Sequence, residues 1–104
     1  MIATIKKMLG IGPKADLVEV IARGGVIIDV RTTGEYAGGH VRGSKNIPLN
    51  ALSSQMQQLK KDKPVITCCA SGMRSGSAKS MLLANGFTEV YNGGSWMNLK
   101  KFEK

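Results

Sequence analysis

Two cysteines and a single histidine are too few for most metal chemistry. A structural zinc centre takes four Cys or His ligands, and this 104-residue chain holds three such residues altogether. The cysteines, Cys68 and Cys69, are neighbours, which excludes a disulfide framework within one chain apart from a strained vicinal ring. Aromatic residues make up only 5%, so the stacking platforms of a single-strand nucleic-acid binder are missing. Acidic residues are also scarce, 7 against 15 Lys and Arg, for a formal charge of +8. The lysines fall in scattered groups, at Lys6 and Lys7, at Lys60, Lys61 and Lys63, and at Lys100, Lys101 and Lys104. Spread this way they read as solvated faces, and no nucleic-acid partner is expected, although the field still draws small anions toward a cleft. No run approaches the ~20 apolar residues of a membrane span. Lys6 and Lys7 interrupt any signal-like apolar region, and no small-residue cleavage site follows. The expected compartment is the cytoplasm, with no metal and no organic cofactor.

What is present is enough for one packed domain, since 42% of the residues are hydrophobic. Residues 1–12 carry Ile2, Ile5, Met8 and Leu9 at helical spacing beside Lys6 and Lys7. They are expected to form an amphipathic tail or short helix, with weak contact to a membrane surface or partner as one use. Residues 13–104 are expected to form the domain proper, a monomer. Leu17, Val20 and Ile21 predict a helix over 15–23, stopped by Gly24 and Gly25. Val26–Val30 is a nearly continuous β-branched run, as in a strand covered on both faces. Residues 46–49 read as extended, and Leu52, Met56 and Leu59 predict a helix over 50–60 with Asn50 as N-cap. A second buried strand spans 64–68, a helix 75–85, and a third strand 88–91; Asn92-Gly93-Gly94 then turns into a short helix bearing Trp96 and Leu99. This alternation predicts an α/β fold with a mostly parallel central sheet. In such sheets ligands bind beyond the carboxyl ends of the strands, which directs attention to the residues after Cys68.

There the sequence is Cys69-Ala70-Ser71-Gly72-Met73-Arg74-Ser75. Small residues, with Gly72 free to take positive φ, allow successive backbone N–H groups to turn inward as a nest. The following helix adds its unpaired N-terminal N–H groups and the positive end of its dipole, and Arg74 offers a planar cationic fork to close the ring. Such a loop stabilises an anion on or beside sulfur and lowers the Cys69 pKa without a histidine.

The pattern C-x-x-G-x-R-S after an apolar strand resembles the active-site loop of the single-domain rhodaneses. Ile28-Asp29-Val30-Arg31 followed by Glu35-Tyr36 resembles that family's D-V-R…E-[FY] segment, and Gly39-His40-Val41-Arg42-Gly43-Ser44-Lys45-Asn46-Ile47-Pro48 its G-H-I-x-G-A-x-N-I-P segment. Gly86-Phe87, Val90-Tyr91 and Gly93-Gly94-Ser95-Trp96 match the G-F…V-Y…G-G…W ending. The resemblance, which covers about Asp16 to Leu99, implies a rhodanese-like three-layer domain with helices flanking the sheet. It implies a sulfurtransferase that moves a sulfane sulfur from a small anionic donor such as thiosulfate to cyanide or a thiol, including a protein thiol, through a Cys69 persulfide. Cys69 and Arg74 are then the catalytic residues, and Ala70, Ser71, Gly72, Met73 and Ser75 bind substrate. Asp29, Arg31, Glu35 and His40 are expected to be structural, with the Asp29 carboxylate accepting bonds from loop backbone or from Arg42.

The adjacent cysteines leave two registers. Counted from Cys69, the ring to Arg74 has six residues and suits a sulfur atom; counted from Cys68, it has seven, the spacing of tyrosine phosphatases and of rhodanese-fold phosphatases. The resemblance to the C-x-x-G patterns of rhodaneses and tyrosine phosphatases, which put glycine three residues after the nucleophile, implies Cys69 and leaves Cys68 as a buried strand residue. The alternatives are a phosphatase or arsenate-reductase-like enzyme on the same fold, a non-catalytic partner-binding module, and a Cys68–Cys69 redox pair.

Overall fold

The computed structural model describes residues 16–103; the amphipathic segment expected over 1–12 lies outside them. The two apolar runs form the centre of the molecule. Strand β1 (Val26–Asp29) pairs in parallel with β3 (Val65–Cys69), in the register Val26 to Val65 and Asp29 to Cys68. The short β2 (Lys45–Asn46) adds to the far side of β1, and β4 (Val90–Ser95) to the far side of β3. The four-stranded sheet has the order β2-β1-β3-β4 with every pairing parallel.

Helices cover both faces, which is why the central strands carry apolar residues at successive positions. On one face Ile28, Val30, Val65 and Cys69 meet Leu52 of helix α3 (Leu52–Gln55) and Ala78 and Leu82 of α4 (Met73–Ala84). On the other, Ile27, Ile66 and Cys68 meet Val20 of α1 (Leu17–Ala22) and Leu99 of the 3-10 helix Trp96–Phe102. The result is the α/β three-layer arrangement expected from the sequence. Side chains alternate across a strand, so the two neighbouring cysteines point into opposite layers.

Three elements depart from expectation. The helix expected over 50–60 is a 3-10 turn (Leu49–Ala51), the four-residue α3 and a second 3-10 turn (Met56–Gln58), and Asn50 does not cap it. The Ser54 hydroxyl donates to Ala51 O at 3.0 Å, a local side-chain bond of the kind that competes with regular helix. Leu52 and Met56 are nonetheless buried, as their spacing implies. Helix α4 begins at Met73, two residues earlier than expected, directly after Gly72 at φ 111°. The third strand runs through Asn92-Gly93-Gly94 instead of turning there. Gly93 is required by close approach: a Cβ on it would lie 2.9 Å from Ile66 Cγ2, Leu99 Cδ1 and Thr67 O. That extension of β4 carries Asn92 alongside Thr67, beside the loop that follows β3.

A buried ion pair holds the carboxyl end of β1. Arg31 donates to both Asp29 carboxylate oxygens (2.7–3.1 Å) and, at 2.7 Å, to Gly39 O, with its guanidinium 4.6 Å from the Trp96 ring centroid. Of the two partners expected for the Asp29 carboxylate, loop backbone is the one seen, the Arg31 N–H donating to Oδ1 at 3.0 Å; Arg42 donates from its backbone to Glu103 at 2.9 Å. The Asn46 amide bridges the Asp29 and Arg31 carbonyls at 3.0 Å each, locking β2 to the same point. Among the described residues no helix is long and apolar enough to cross a membrane.

Candidate active site

Cys69 is the last residue of β3 and its side chain is buried. The chain then reverses over Ala70-Ser71-Gly72 into α4, and positive φ at Gly72 aims backbone N–H groups back at the sulfur. The Gly72 N–H donates to Sγ at 3.0 Å and the Ser75 N–H at 3.4 Å, while the Ser75 hydroxyl stands 3.4 Å from the sulfur. Burial on its own raises the thiol's pKa, but the Ser75 hydroxyl and the Ser75, Gly72 and Ser71 amides outweigh it and bring Cys69 down to about 7. A large fraction is therefore thiolate at neutral pH, the form that acts as nucleophile.

A second set of bonds holds this cradle. Asn92 on β4 donates from Nδ2 to Gly72 O at 3.0 Å, and its Oδ1 accepts from the Ser75 hydroxyl at 2.6 Å and the Gly94 N–H at 2.9 Å. Beneath the loop, the Thr67 hydroxyl donates to Ser75 O at 2.8 Å. The expected site residues therefore divide. Gly72 and Ser75 converge on Sγ, with the Ser71 amide adding its pull. Ala70 is exposed, and the Met73 side chain is 81% exposed at the rim.

Arg74 does not close the ring around the sulfur. Its guanidinium forms a bidentate pair with Glu35, Nη1 to Oε1 at 2.7 Å and Nη2 to Oε2 at 3.0 Å. Glu35 is fixed in turn by a capping box at the start of α2 (Thr33–Ala37), its carboxylate accepting from the Thr32 N–H at 2.9 Å. Arg74, and the Thr32 N–H second, hold the Glu35 carboxyl down at about 2. Arg74 also lines a groove of about 310 Å³ with Val30, Thr32, Pro48, Leu49 and Asn50.

Cys68 faces the opposite layer. Burial first, and the Asp29 carboxylate second, push its thiol up to about 12. His40 is occupied with Tyr36: its Nδ1 lies 2.7 Å from Tyr36 O, and the two rings stack at 3.7 Å.

Asn92 and the Glu35–Arg74 pair are the two features of the site that sequence reasoning missed. Both depend on contacts between distant segments, 20 residues apart for Asn92 and Gly72 and 39 for Glu35 and Arg74. The capping box Thr32-x-x-Glu35 was a usable sign that Glu35 is anchored; nothing local marks Asn92.

The rhodanese-like domain model matches residues 14–100. The uncharacterized protein YqhL of Bacillus subtilis is 46% identical over 66 residues, 64% of this chain and 52% of that protein. The thiosulfate sulfurtransferase GlpE of Ectopseudomonas mendocina is 34% identical over 74 residues, 71% of this chain and 68% of that one. The chain thus spans about half to two thirds of the length of the curated relatives it matches. Among solved structures, a rhodanese from E. coli superposes with a TM-score of 0.67 at 34% identity, covering 71% of this chain and 89% of that one. The human single-domain sulfurtransferase TSTD1 shares the fold at a TM-score of 0.73 and 24% identity, covering 88% and 95%. With its parallel sheet, its cysteine at the end of the central strand and a family match over most of its length, the chain belongs to the rhodanese-like family.

Proposed function

We propose that the protein is a sulfurtransferase that carries a sulfane sulfur on Cys69. The observation that supports this most strongly is the cradle itself. A thiol brought down to about 7 lies under the Gly72 and Ser75 N–H groups, which also suit the extra anionic sulfur of a persulfide. In the first half-reaction the Cys69 thiolate attacks the outer sulfur of thiosulfate. The S–S bond breaks, sulfite leaves with the bonding pair, and Cys69 holds a persulfide. In the second, cyanide or a thiolate attacks the outer sulfur, and the Cys69 thiolate leaves as thiocyanate or a new persulfide forms. Arg74 stands at the rim, paired with Glu35. The other loop residues, Ala70, Ser71 and Met73, meet the substrate by backbone and apolar contact. The reaction draws on no metal or organic cofactor, and the enzyme is assigned to the cytoplasm as a monomer. The burial of Cys68 in the opposite layer argues against a seven-residue phosphatase ring built on it.

Intact mass before and after thiosulfate, and again after cyanide, tests this. The expected result is a gain of one sulfur atom that cyanide removes and that Cys69→Ala abolishes. A wild-type chain that gains no sulfur from thiosulfate or from a persulfide donor would overturn the assignment.

A further inference from the structure

The loop from Cys69 to Ser75 contains one charged side chain, Arg74, and in the folded chain that charge is already matched. The two terminal nitrogens of Arg74 are bonded to Glu35, at 2.7 and 3.0 Å. Glu35 cannot easily be drawn away, because the same carboxylate accepts from the Thr32 N–H at 2.9 Å and the Thr32 hydroxyl at 3.1 Å. With its carboxyl held down at about 2, it stays ionised throughout the neutral range. Around it Met73 is 81% exposed, and Val30, Pro48 and Leu49, with Thr32 and Asn50, line the groove that Arg74 borders. Beyond the cradle N–H groups, an incoming dianion meets a negative thiolate and an arginine whose charge Glu35 offsets. A donor with an organic body and at most one negative charge meets less repulsion and gains apolar contact.

We infer that Glu35 is a positioning residue that sets donor choice: by holding Arg74 in a neutral pair it tunes the site toward organic persulfides and against doubly charged thiosulfate. This rests on the assignment of Cys69 as the sulfur-accepting nucleophile. The step balances as Cys69–S⁻ plus R–S–SH giving Cys69–S–SH plus R–S⁻. One S–S bond forms as another breaks, the broken bond's electron pair leaves on R–S⁻, and the donor's proton remains on the transferred sulfur. The apolar R group lies along Val30, Pro48 and Leu49.

Two ratios test it, each insensitive to a general loss of activity. The first is the rate of Cys69 alkylation by iodoacetate over that by iodoacetamide, which reads the field at the sulfur and needs no turnover. The second is kcat/KM for thiosulfate over that for benzyl persulfide. Glu35→Gln keeps the size of the side chain and its bond to the Thr32 N–H. It should raise both ratios about fivefold at low ionic strength, the second chiefly through a lower thiosulfate KM, with the gain shrinking in high salt. The double variant Glu35→Gln/Arg74→Gln, neutral again, should return the alkylation ratio to within about twofold of wild type. Ratios that stay put or fall in Glu35→Gln, while wild-type Cys69 still takes up sulfur, would overturn the role of Glu35 alone. Wild-type Cys69 that takes sulfur from neither donor overturns the sulfur-transfer assignment and the donor preference with it.

Discussion

The Ser75 hydroxyl donates to Asn92 Oδ1 at 2.6 Å while lying 3.4 Å from Cys69 Sγ. Its single proton therefore serves Asn92 when Cys69 is a thiol and is available to the sulfur when Cys69 is a thiolate. Asn92→Asp should disturb that exchange in one direction. A carboxylate holds the hydroxyl proton more strongly, adds negative charge beside the sulfur, and loses the bond to Gly72 O. Ser75→Ala removes the hydroxyl outright. Each should move the midpoint of the Cys69 alkylation profile upward by about one unit, since hydrogen bonds to charged groups contribute roughly 1.5–3 kcal/mol and one unit corresponds to about 1.4. Alkylation rate against pH measures it; an unmoved midpoint in Asn92→Asp would remove Asn92 from control of the thiol.

The two cysteines should separate cleanly. Cys68, with a thiol pushed up to about 12, is a packing residue in this structure, so Cys68→Val should cost less than about 1.5 kcal/mol. It should also keep sulfur uptake and iodoacetamide labelling. Cys69→Ala should lose both. Mass spectrometry of the labelled protein distinguishes the outcomes, and a dead Cys68 variant with a labelled Cys69 would reverse the register.

Stability should depend on pH through Cys69. The folded thiol titrates at about 7 against an ordinary value of 9.0, so between those values the unfolded chain binds more protons and stability rises with pH. The contribution is fully present above pH 9 and is lost as pH falls through 7. It amounts to on the order of 2–3 kcal/mol at about 1.4 per unit. Urea unfolding of wild type and Cys69→Ala at pH 6 and pH 9 checks it: wild type should gain on the variant by that amount between the two. An equal gain in both would place the dependence on other groups.

Removing Arg31 should damage the fold more than the loop chemistry. Arg31→Met leaves the Asp29 carboxylate, which is fully buried, without its ion pair, a change that costs about 3–5 kcal/mol. Asp29→Leu combined with Arg31→Met should recover much of that loss. Denaturant midpoints of the single and double variants make the comparison, and a harmless single substitution would mean that water replaces the guanidinium.

The strands and the cysteine loop were legible because local pattern encodes them. Val26–Val30 and Val65–Cys69 are β-branched runs bounded by turns, and a doubly covered parallel strand has few other ways to be written. The β4 end was misjudged because Asn-Gly-Gly ordinarily marks a turn. Here Gly93 answers instead to Ile66, Thr67 and Leu99, which a Cβ on it would meet at 2.9 Å, a tertiary demand invisible in a local window. The Arg31 side chain was not expected to pair with Asp29; its i,i+2 position, on the same side of the extended chain, is what places its guanidinium there. Arg74 was read as a free cation because its acid lies on another segment.

The back-to-back orientation of Cys68 and Cys69 governs what can happen after the sulfur is loaded or damaged. A Cys69 sulfenic acid finds no resolving thiol within the chain, because the other cysteine, Cys68, is sealed in the opposite layer. Discharge of the persulfide and repair of an oxidised Cys69 both depend on a second molecule reaching the loop from outside. On the proposed function, the fold would make the protein a single-berth carrier, whose turnover and recovery are set by the acceptor that reaches the rim.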